Sequence, residues 1–197
     1  MSNESYIPKN RLEAFSDGVI AIIITIMVLE IKAPHGNDLS ALIPVIPALL
    51  CYTLSFLYIG IYWNNHHHLL HAAKHINGKI MWANLVLLFW LSLFPFVTGW
   101  LGENQGGPWP SVLYGTILLF AAISYFVLQN LIIDSHGKDS AMAKAINKDW
   151  KGKLSLASYT AGILLSFISH VLANTLYISV AILWLIPDKR IEKLIGK

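Results

Sequence analysis

The chain alternates long runs without charged residues and short polar stretches. The uncharged runs are residues 41–63, 80–101, 111–133 and 154–187. Each of the first three is long enough to cross the hydrocarbon core of a bilayer as one α-helix, and the fourth is long enough for two short helices. Together with an apolar segment near the N-terminus, they predict six membrane spans, at residues 11–32, 41–65, 78–101, 110–133, 153–173 and 175–187.

The fourth uncharged run needs a turn near its middle if it is to cross the membrane twice. Asn174 and Thr175 are the candidates for that turn. The polar stretch before the run, residues 134–152, predicts a cytoplasmic loop, and residues 188–197 predict a cytoplasmic tail. The pattern indicates one membrane domain over residues 1–197, with no low-complexity tract.

Composition agrees with this pattern. Hydrophobic residues make up 55% of the chain, charged residues make up 13%, and the mean hydropathy is +0.56. Soluble domains carry about 25% charged residues. The sequence therefore predicts an all-α integral membrane protein. Its single cysteine, Cys51, excludes a disulfide within the chain.

The positions of the basic residues predict the orientation. Threading six spans places all 14 lysines and arginines except Lys32 on one side of the membrane. Loops rich in lysine and arginine stay in the cytoplasm. Both termini are therefore predicted to be cytoplasmic, in a multi-pass protein of the cell membrane.

The first span, "RLEAFSDGVIAIIITIMVLEIKAP", has an apolar centre and polar ends. Asn10 and Glu13 have the spacing of a capping box, which predicts a helix start at Arg11. Glu13 and Asp17 do not suit the positively charged start of a signal peptide. Ionisable residues at membrane depth usually face a bundle interior or a water-filled cavity. Asp17 therefore favours a place for this helix among other helices.

One stripe of the first helix carries a single hydroxyl group. Ile22, Thr25, Ile26 and Leu29 lie at positions i, i+3, i+4 and i+7, so they share one helix face. Spacing alone favours a packing face, in which Thr25 bonds to a carbonyl of its own helix. The alternative is the lining of a narrow, mostly dry pore.

The fifth span carries a second regular pattern. Small residues recur along one face of the predicted helix, at Ser155, Ser158, Gly162, Ser166, Ser169 and Ala173. Small residues allow helices to approach closely in lipid, so the stripe predicts a packing face. A polar conduction path is the alternative.

The start of the first helix resembles a known family. Arg11 stands four residues before Phe15, and Phe15, Ser16 and Asp17 form a Phe-Ser-Asp sequence. This signature is similar to that of the transmembrane protein 175 family of potassium channels. The resemblance covers the whole chain and is closest to the single-repeat bacterial branch. Gly18, after the aspartate, is a minor departure from the family pattern.

The resemblance implies a symmetric homotetramer in which the first helix of each subunit lines a central pore. Ile22 and Leu29 would form apolar constrictions, Thr25 a hydroxyl layer between them, and Ile26 would lie on the same stripe. It implies moderate selectivity for potassium without a carbonyl selectivity filter, and no enzymatic activity. The implied partners are the lipid bilayer, K⁺ and other monovalent cations, with no nucleic acid and no cofactor besides the permeant ion.

A histidine run ends the second span. His66, His67 and His68 are followed by His71 and His75, and His67, His71 and His75 share a helix face. Such spacing can bind a transition metal, so a histidine-rich metal-ion transporter is an alternative function. No carboxylate or cysteine lies within the run, which argues against a metal site.

The run has a second interpretation. One or two of His66–His68 bond Asp17 or Ser16, and the others lie in interfacial water. The family also has a histidine here that pairs with the arginine and aspartate of its signature. The resemblance therefore implies a structural network of Arg11, Phe15, Ser16 and Asp17 with one of His66–His68, which the sequence does not single out.

A secondary transporter is the remaining alternative. Such proteins often have helices that are broken near the middle of the membrane. Pro44, Pro47 and Pro95 are the candidate breaks, but all three lie near predicted span ends. The sequence therefore gives little support to this function.

Overall fold

A computed structural model describes residues 8–73, 75–104, 106–136 and 150–185. Seven α-helices lie in this part of the chain: α1 Lys9–Ile26, α2 Ile46–Ala72, α3 Gly78–Ser92, α4 Phe94–Glu103, α5 Pro108–His136, α6 Trp150–Ser166 and α7 His170–Leu185. Two 3₁₀ helices, Met27–Glu30 and Leu39–Val45, extend α1 at its end and precede α2. The predicted all-helical class is confirmed.

Four helical segments are long and apolar enough to cross a membrane. They are Lys9–Glu30, Leu39–Ala72, Gly78–Glu103 and Pro108–Ser135. α7 is also apolar but has only 16 residues. Helices α5 and α6 extend into the stretch that was predicted as a loop, and the remainder of that loop and the predicted tail lie outside the described residues.

The N-terminus of α1 differs from the prediction. The helix begins at Lys9 after Pro8, and no side chain caps it, so the predicted capping box is wrong. Lys9 instead forms an ion pair with Glu13, with 3.7 Å between Nζ and Oε1. The lysine ammonium also donates a hydrogen bond to the carbonyl of His71, at 2.7 Å. Because His71 lies in the last turn of α2, Lys9 joins the start of α1 to the end of α2.

The predicted single span 78–101 consists of two helices. α3 and α4 meet at Leu93, two residues before Pro95. Proline has no N–H to donate to the carbonyl four residues back, and its ring disturbs that turn of the helix. The amide of Leu93 instead bonds to the carbonyl of Trp90, three residues back. α4 is therefore a short helix separate from α3.

The turn between the last two helices also lies elsewhere than predicted. The chain leaves α6 after Ser166 and enters α7 at His170, so the turn is at residues 167–169. Asn174 lies inside α7, where its side-chain oxygen accepts a hydrogen bond from the Ser111 hydroxyl at 3.0 Å. Asn174 therefore marks a contact between α7 and α5 and not the predicted turn, because Ser111 on α5 is its hydrogen-bond partner.

The helices pack as a layered bundle. α5 packs against α3, α4 and α6, and α6 packs against α7. α1 lies at one side, in contact with α2, α3 and α4. One face of α1 is thus held by the bundle, whereas its other face is exposed among the described residues.

Tyr58, Tyr114 and Tyr177 are the largest fully buried side chains of the described residues. The Tyr58 hydroxyl donates to the carbonyl of Tyr177 at 2.6 Å, and the Tyr177 hydroxyl donates to the carbonyl of Ser111 at 3.2 Å. An added Cβ at Gly115 or Gly162 would overlap the ring of Tyr177. Part of the small-residue stripe on α6 is therefore a packing face that accommodates this ring.

Candidate functional site

α1 has one buried face and one exposed face. Ile20, Ile23 and Met27 are buried in the bundle, with Ile23 only 3% exposed. The exposed fraction is 60% for Ile22 and 77% for Leu29. Since these residues are spaced at about 100° per residue, the structure divides the helix into a face that packs within the subunit and a face that does not.

The exposed face contains the predicted stripe. Ile22, Thr25, Ile26 and Leu29 are all exposed in the subunit. The interpretation of this stripe as packing within the subunit is therefore wrong for these residues. Whether they line a pore stays a prediction.

The 3₁₀ segment keeps Leu29 in line with the residues before it. An α-helix turns about 100° per residue and a 3₁₀ helix about 120°. The change to 3₁₀ geometry follows Ile26. Three steps of about 120° then bring Leu29 almost directly above Ile26. The tighter helix thus places Ile22, Ile26 and Leu29 in one row.

Thr25 satisfies its hydroxyl proton within its own helix. Its Oγ1 lies 3.0 Å from the carbonyl oxygen of Ala21 and 2.9 Å from that of Ile22. This is the local bond that the sequence allowed. A hydroxyl oxygen that donates in this way keeps lone pairs that can accept or coordinate. Thr25 therefore presents an oxygen on an otherwise apolar row.

A buried polar bridge joins α1, α2 and α3. The Asn84 side chain donates from Nδ2 to Ser16 Oγ at 2.9 Å, and its Oδ1 lies 2.6 Å from Nε2 of His66. All three residues are buried. With Asn84 oriented in this way, its Oδ1 accepts, so His66 donates from Nε2. His66 is thus the member of the histidine run that reaches the signature.

The bridge differs from the predicted pairing in one respect. His66 reaches Ser16 through Asn84, and the structure shows no direct bond from it to Ser16 or Asp17. The sequence did contain a signal, because Asn84 is the only amide side chain in the apolar run 80–101. Its partners lie on other helices, and for that reason spacing along the chain could not identify them.

Asp17 binds a residue that sequence reasoning missed. Its Oδ1 accepts a hydrogen bond from the Trp63 indole N–H at 3.0 Å. The Trp63 ring stacks on His67, with 5.9 Å between ring centroids, and His67 stacks on His71 at 6.2 Å. A tryptophan near a predicted span end suggested only an interfacial belt residue. In the folded subunit, Trp63 links the α1 aspartate to the exposed histidines.

The other members of the predicted network are separate from this bridge. Arg11 and Phe15 are exposed, and the Arg11 side chain forms no hydrogen bond or ion pair with the part of the chain that the structure describes. His68 contacts the ring of His67. The structural role of these residues stays a prediction.

The geometry gives no support to a metal centre in the described ranges. No group of three or more His, Cys, Asp or Glu residues there could hold a metal ion. The rings of His67 and His71 are stacked, with only 18° between their planes. Stacked rings do not direct their nitrogen atoms at one point, as two ligands of one metal must.

A helical chain with four segments able to cross a bilayer is a multi-pass membrane protein. The model of the family described as "Endosomal/lysosomal potassium channel TMEM175" matches residues 11–95. A potassium channel of Chryseobacterium sp. (strain P1-3) is 52% identical over 185 residues, which cover 94% of this chain and 96% of the relative. The chain therefore belongs to the TMEM175 family, and as a member of a family of ion channels it is not an enzyme.

Two further comparisons extend this assignment. The crystal structure of a lysosomal potassium-selective channel TMEM175 homolog from Chamaesiphon minutus superposes with a TM-score of 0.78, at 30% identity. The alignment covers 89% of this chain and 95% of that one. The endosomal/lysosomal proton channel TMEM175 of Gallus gallus is 31% identical over 136 residues, which are 61% of this chain but 27% of that protein. The likeness to the bacterial proteins thus extends over the chain, whereas the avian protein is much longer than the matched region.

Proposed function

We propose that this protein is a potassium-selective cation channel, formed by four copies of the chain around a pore that α1 lines. The observation that carries the proposal is the exposed apolar row of α1 with the Thr25 oxygen between its members. The relatives named as potassium channels support it. One helix per chain can enclose a pore only if copies close around an axis, as cyclic oligomers do.

The two faces of α1 support this assembly. Its buried face is fixed by the bundle, and the buried bridge from Ser16 to Asn84 and His66 fixes its rotation about its own axis. A pore helix needs such support because a small rotation would change which side chains meet at the axis. The same support would not be needed for a helix whose free face met only lipid.

Ion passage follows from the chemistry of the row. Rings of Ile22 and Leu29 around the axis would be apolar constrictions, which can empty of water and close. An ion that passes them loses part of its hydration shell. Potassium holds its water less tightly than sodium, so the barrier is lower for potassium. The Thr25 oxygen replaces part of the lost water, and moderate selectivity is the expected result.

The proposed orientation places the basic end of the bundle in the cytoplasm. This end holds Lys9, Arg11 and the histidines that follow Trp63, whereas Lys32 lies at the opposite end. Positively charged loops remain on the cytoplasmic side of the bacterial cell membrane. The end that carries Lys32 is then the outer end of the channel.

The test of the function is potassium flux into liposomes that contain the purified protein. We expect passive potassium uptake that sodium competes with weakly, from a protein that sizes as a tetramer. A flux that requires a proton gradient or ATP would contradict the channel and favour a secondary transporter. Proton flux without potassium flux would instead favour a proton channel, as the Gallus gallus relative is named.

Ile22→Asn tests the pore face. Amide side chains would wet the narrowest ring, so we expect a higher conductance and a gain of sodium relative to potassium. Thr25→Val retains the shape of the side chain but removes its oxygen, so we expect lower selectivity at a similar conductance. Single-channel recording in mixed potassium and sodium solutions measures both.

Ile23→Asn is the matched control, since Ile23 is adjacent in sequence but buried in the bundle. We expect it to lower the yield of folded protein and to leave the selectivity of the remaining channels unchanged. If Ile23→Asn opened the pore while Ile22→Asn left permeation unchanged, the assignment of the pore face would be wrong.

A further inference from the structure

A groove of about 380 Å³ lies at the outer end of the bundle, beside the last turn of the α1 segment. Leu29 and Glu30 of the 3₁₀ helix form one wall, and Phe96 and Trp100 of α4 form the other. Sites for small molecules in proteins have volumes of about 300–1,000 Å³. The groove is therefore large enough for a small ligand next to the residue that forms the outer end of the apolar row.

The groove retains one negative charge. Lys32 Nζ lies 2.7 Å from Glu103 Oε1, so these two charges compensate each other. The Glu30 carboxylate forms no ion pair and accepts no side-chain hydrogen bond from the described residues. The Lys32 ammonium also interacts electrostatically with Glu30, so the three charged side chains of the groove carry a net charge of −1. A net negative charge of this size attracts a monovalent cation. A calcium ion takes six to eight oxygen ligands, which this groove does not offer.

Gly99 brings this carboxylate against the aromatic residues of α4. A Cβ at Gly99 would lie only 2.8 Å from Oε2 of Glu30, so a larger residue there would displace the carboxylate. Phe96 and Trp100 lie one helix turn apart on either side of Gly99. Their ring planes differ by 20°, with 6.4 Å between centroids, and Phe96 is 59% exposed. A carboxylate and two accessible aromatic rings therefore line one groove.

We propose that this groove binds small organic ammonium cations, with Glu30 as the counter-ion and Phe96 and Trp100 as the aromatic wall. Aromatic faces attract cations, and quaternary ammonium groups are the ligands that aromatic cages recognise. Because Leu29 lines the same groove, a bound cation hinders potassium at the outer mouth of the pore. This second consequence rests on the proposed channel function, whereas the binding itself does not.

The test compares two ligands of the same shape. Choline carries a trimethylammonium group, and 3,3-dimethyl-1-butanol carries the neutral tert-butyl group in its place. Saturation-transfer NMR on the full protein in detergent measures the binding of each through its methyl protons. We expect choline to bind at least about tenfold more tightly than the alcohol, since a desolvated cation–aromatic contact together with a carboxylate supplies that difference.

Variants of the groove identify its members. Glu30→Gln should weaken choline binding by about three- to fivefold, the contribution of an exposed ion pair. Trp100→Leu should weaken it by about three- to tenfold, because it removes one aromatic face from the cation. Asp38→Asn is the matched control: it removes a carboxylate that is exposed at the same end of the protein but does not line the groove. It should change binding by less than about twofold, since exposed charges are screened by salt.

Equal binding of choline and the alcohol would overturn the proposal, as would equal losses in Glu30→Gln and Asp38→Asn. If Trp100→Leu fails to fold, Phe96→Leu tests the aromatic wall. Potassium flux without choline is measured separately. If the protein shows no potassium flux but binds choline and loses that binding in Glu30→Gln, the channel function is refuted and the proposed binding site in the groove still holds. If potassium flux is intact but Glu30→Gln does not change choline binding, only the proposed binding site is refuted.

Discussion

Asn84→Leu tests the buried bridge that fixes α1. Leucine has the same branched arrangement of side-chain heavy atoms as asparagine, although it is bulkier, and it neither donates nor accepts a hydrogen bond. The change removes the bond to Ser16 at 2.9 Å and the bond from His66 at 2.6 Å, and all three residues are buried. It therefore leaves one hydroxyl and one imidazole N–H without their partner.

The loss of stability depends on whether the Ser16 hydroxyl and the His66 N–H find other hydrogen-bond partners. Hydrogen bonds between membrane helices contribute about 0.6 kcal/mol each on average, and at most about 1.7. A buried polar group left without a partner costs about 1–3 kcal/mol. Ser16 loses only a donor to its oxygen, and its cost is small because the hydroxyl proton can still bond to a carbonyl of its own helix. His66 Nε2 has no such local partner, so we expect a total loss of about 2–3 kcal/mol.

The assay is thermal unfolding of the purified protein in detergent, followed by circular dichroism. A loss of this size should lower the midpoint by roughly 4–12 °C, at about 2–4 °C per kcal/mol for a chain of this length. Asn104→Leu is the matched control, because Asn104 is exposed and, within the described residues, its side chain bonds only to the carbonyl of Trp100, at 3.2 Å. We expect it to shift the midpoint by less than about 2 °C.

A double-mutant cycle separates the bridge from simple packing. Ser16→Ala alone leaves the Asn84 amide without an acceptor, so it should be destabilising. In the Asn84→Leu background the same change should cost much less, since the bond is already lost. Equal costs of Ser16→Ala in both backgrounds, or a midpoint for Asn84→Leu equal to that of the control, would refute the bridge.

Two further predictions concern the core and the outer ion pair. Gly162→Ala inserts a methyl group against the buried ring of Tyr177 and should lower the free energy of unfolding by about 1–3 kcal/mol. Gly60→Ala is the control, since a methyl group there meets nothing within 4 Å and should be neutral or stabilising. The midpoints of thermal unfolding of the two variants measure the difference. The hydrogen bond to its carboxylate partner raises the pKa of Lys32 from its ordinary value of 10.5. The stabilisation that the Lys32–Glu103 ion pair contributes to the folded state is therefore complete below pH 10.5 and is lost as the pH rises through the pKa of Lys32 in the folded protein. The difference in unfolding midpoint between wild type and Lys32→Gln should therefore be constant from about pH 7 to 9. A difference that changed within this range would contradict the assignment.

The sequence by itself determined the class of the protein. Uncharged runs of the length of a bilayer and a charge fraction half that of soluble proteins permit a membrane bundle and little else, because unpaired charges are costly in lipid. It also determined the family, through Arg11 and the Phe-Ser-Asp signature. These properties depend on residue type and local spacing, which are visible along the chain. Pro95 contained enough information to predict the break at Leu93, since the missing N–H is a local property.

Only the tertiary structure decided which side chains meet. Asn84 and Trp63 became partners of Ser16 and Asp17 because α2 and α3 place them there, across 68 and 46 positions of sequence. The turn after Ser166 likewise followed from helix packing rather than from the polar pair that the sequence offered. Exposure of the α1 row was undecidable from periodicity, because an apolar stripe looks the same whether it packs or stays free. The structure of the bundle decided between the two: α1 buries the face that carries Ser16 and Ile23, and the stripe of Ile22, Thr25, Ile26 and Leu29 lies on the exposed face.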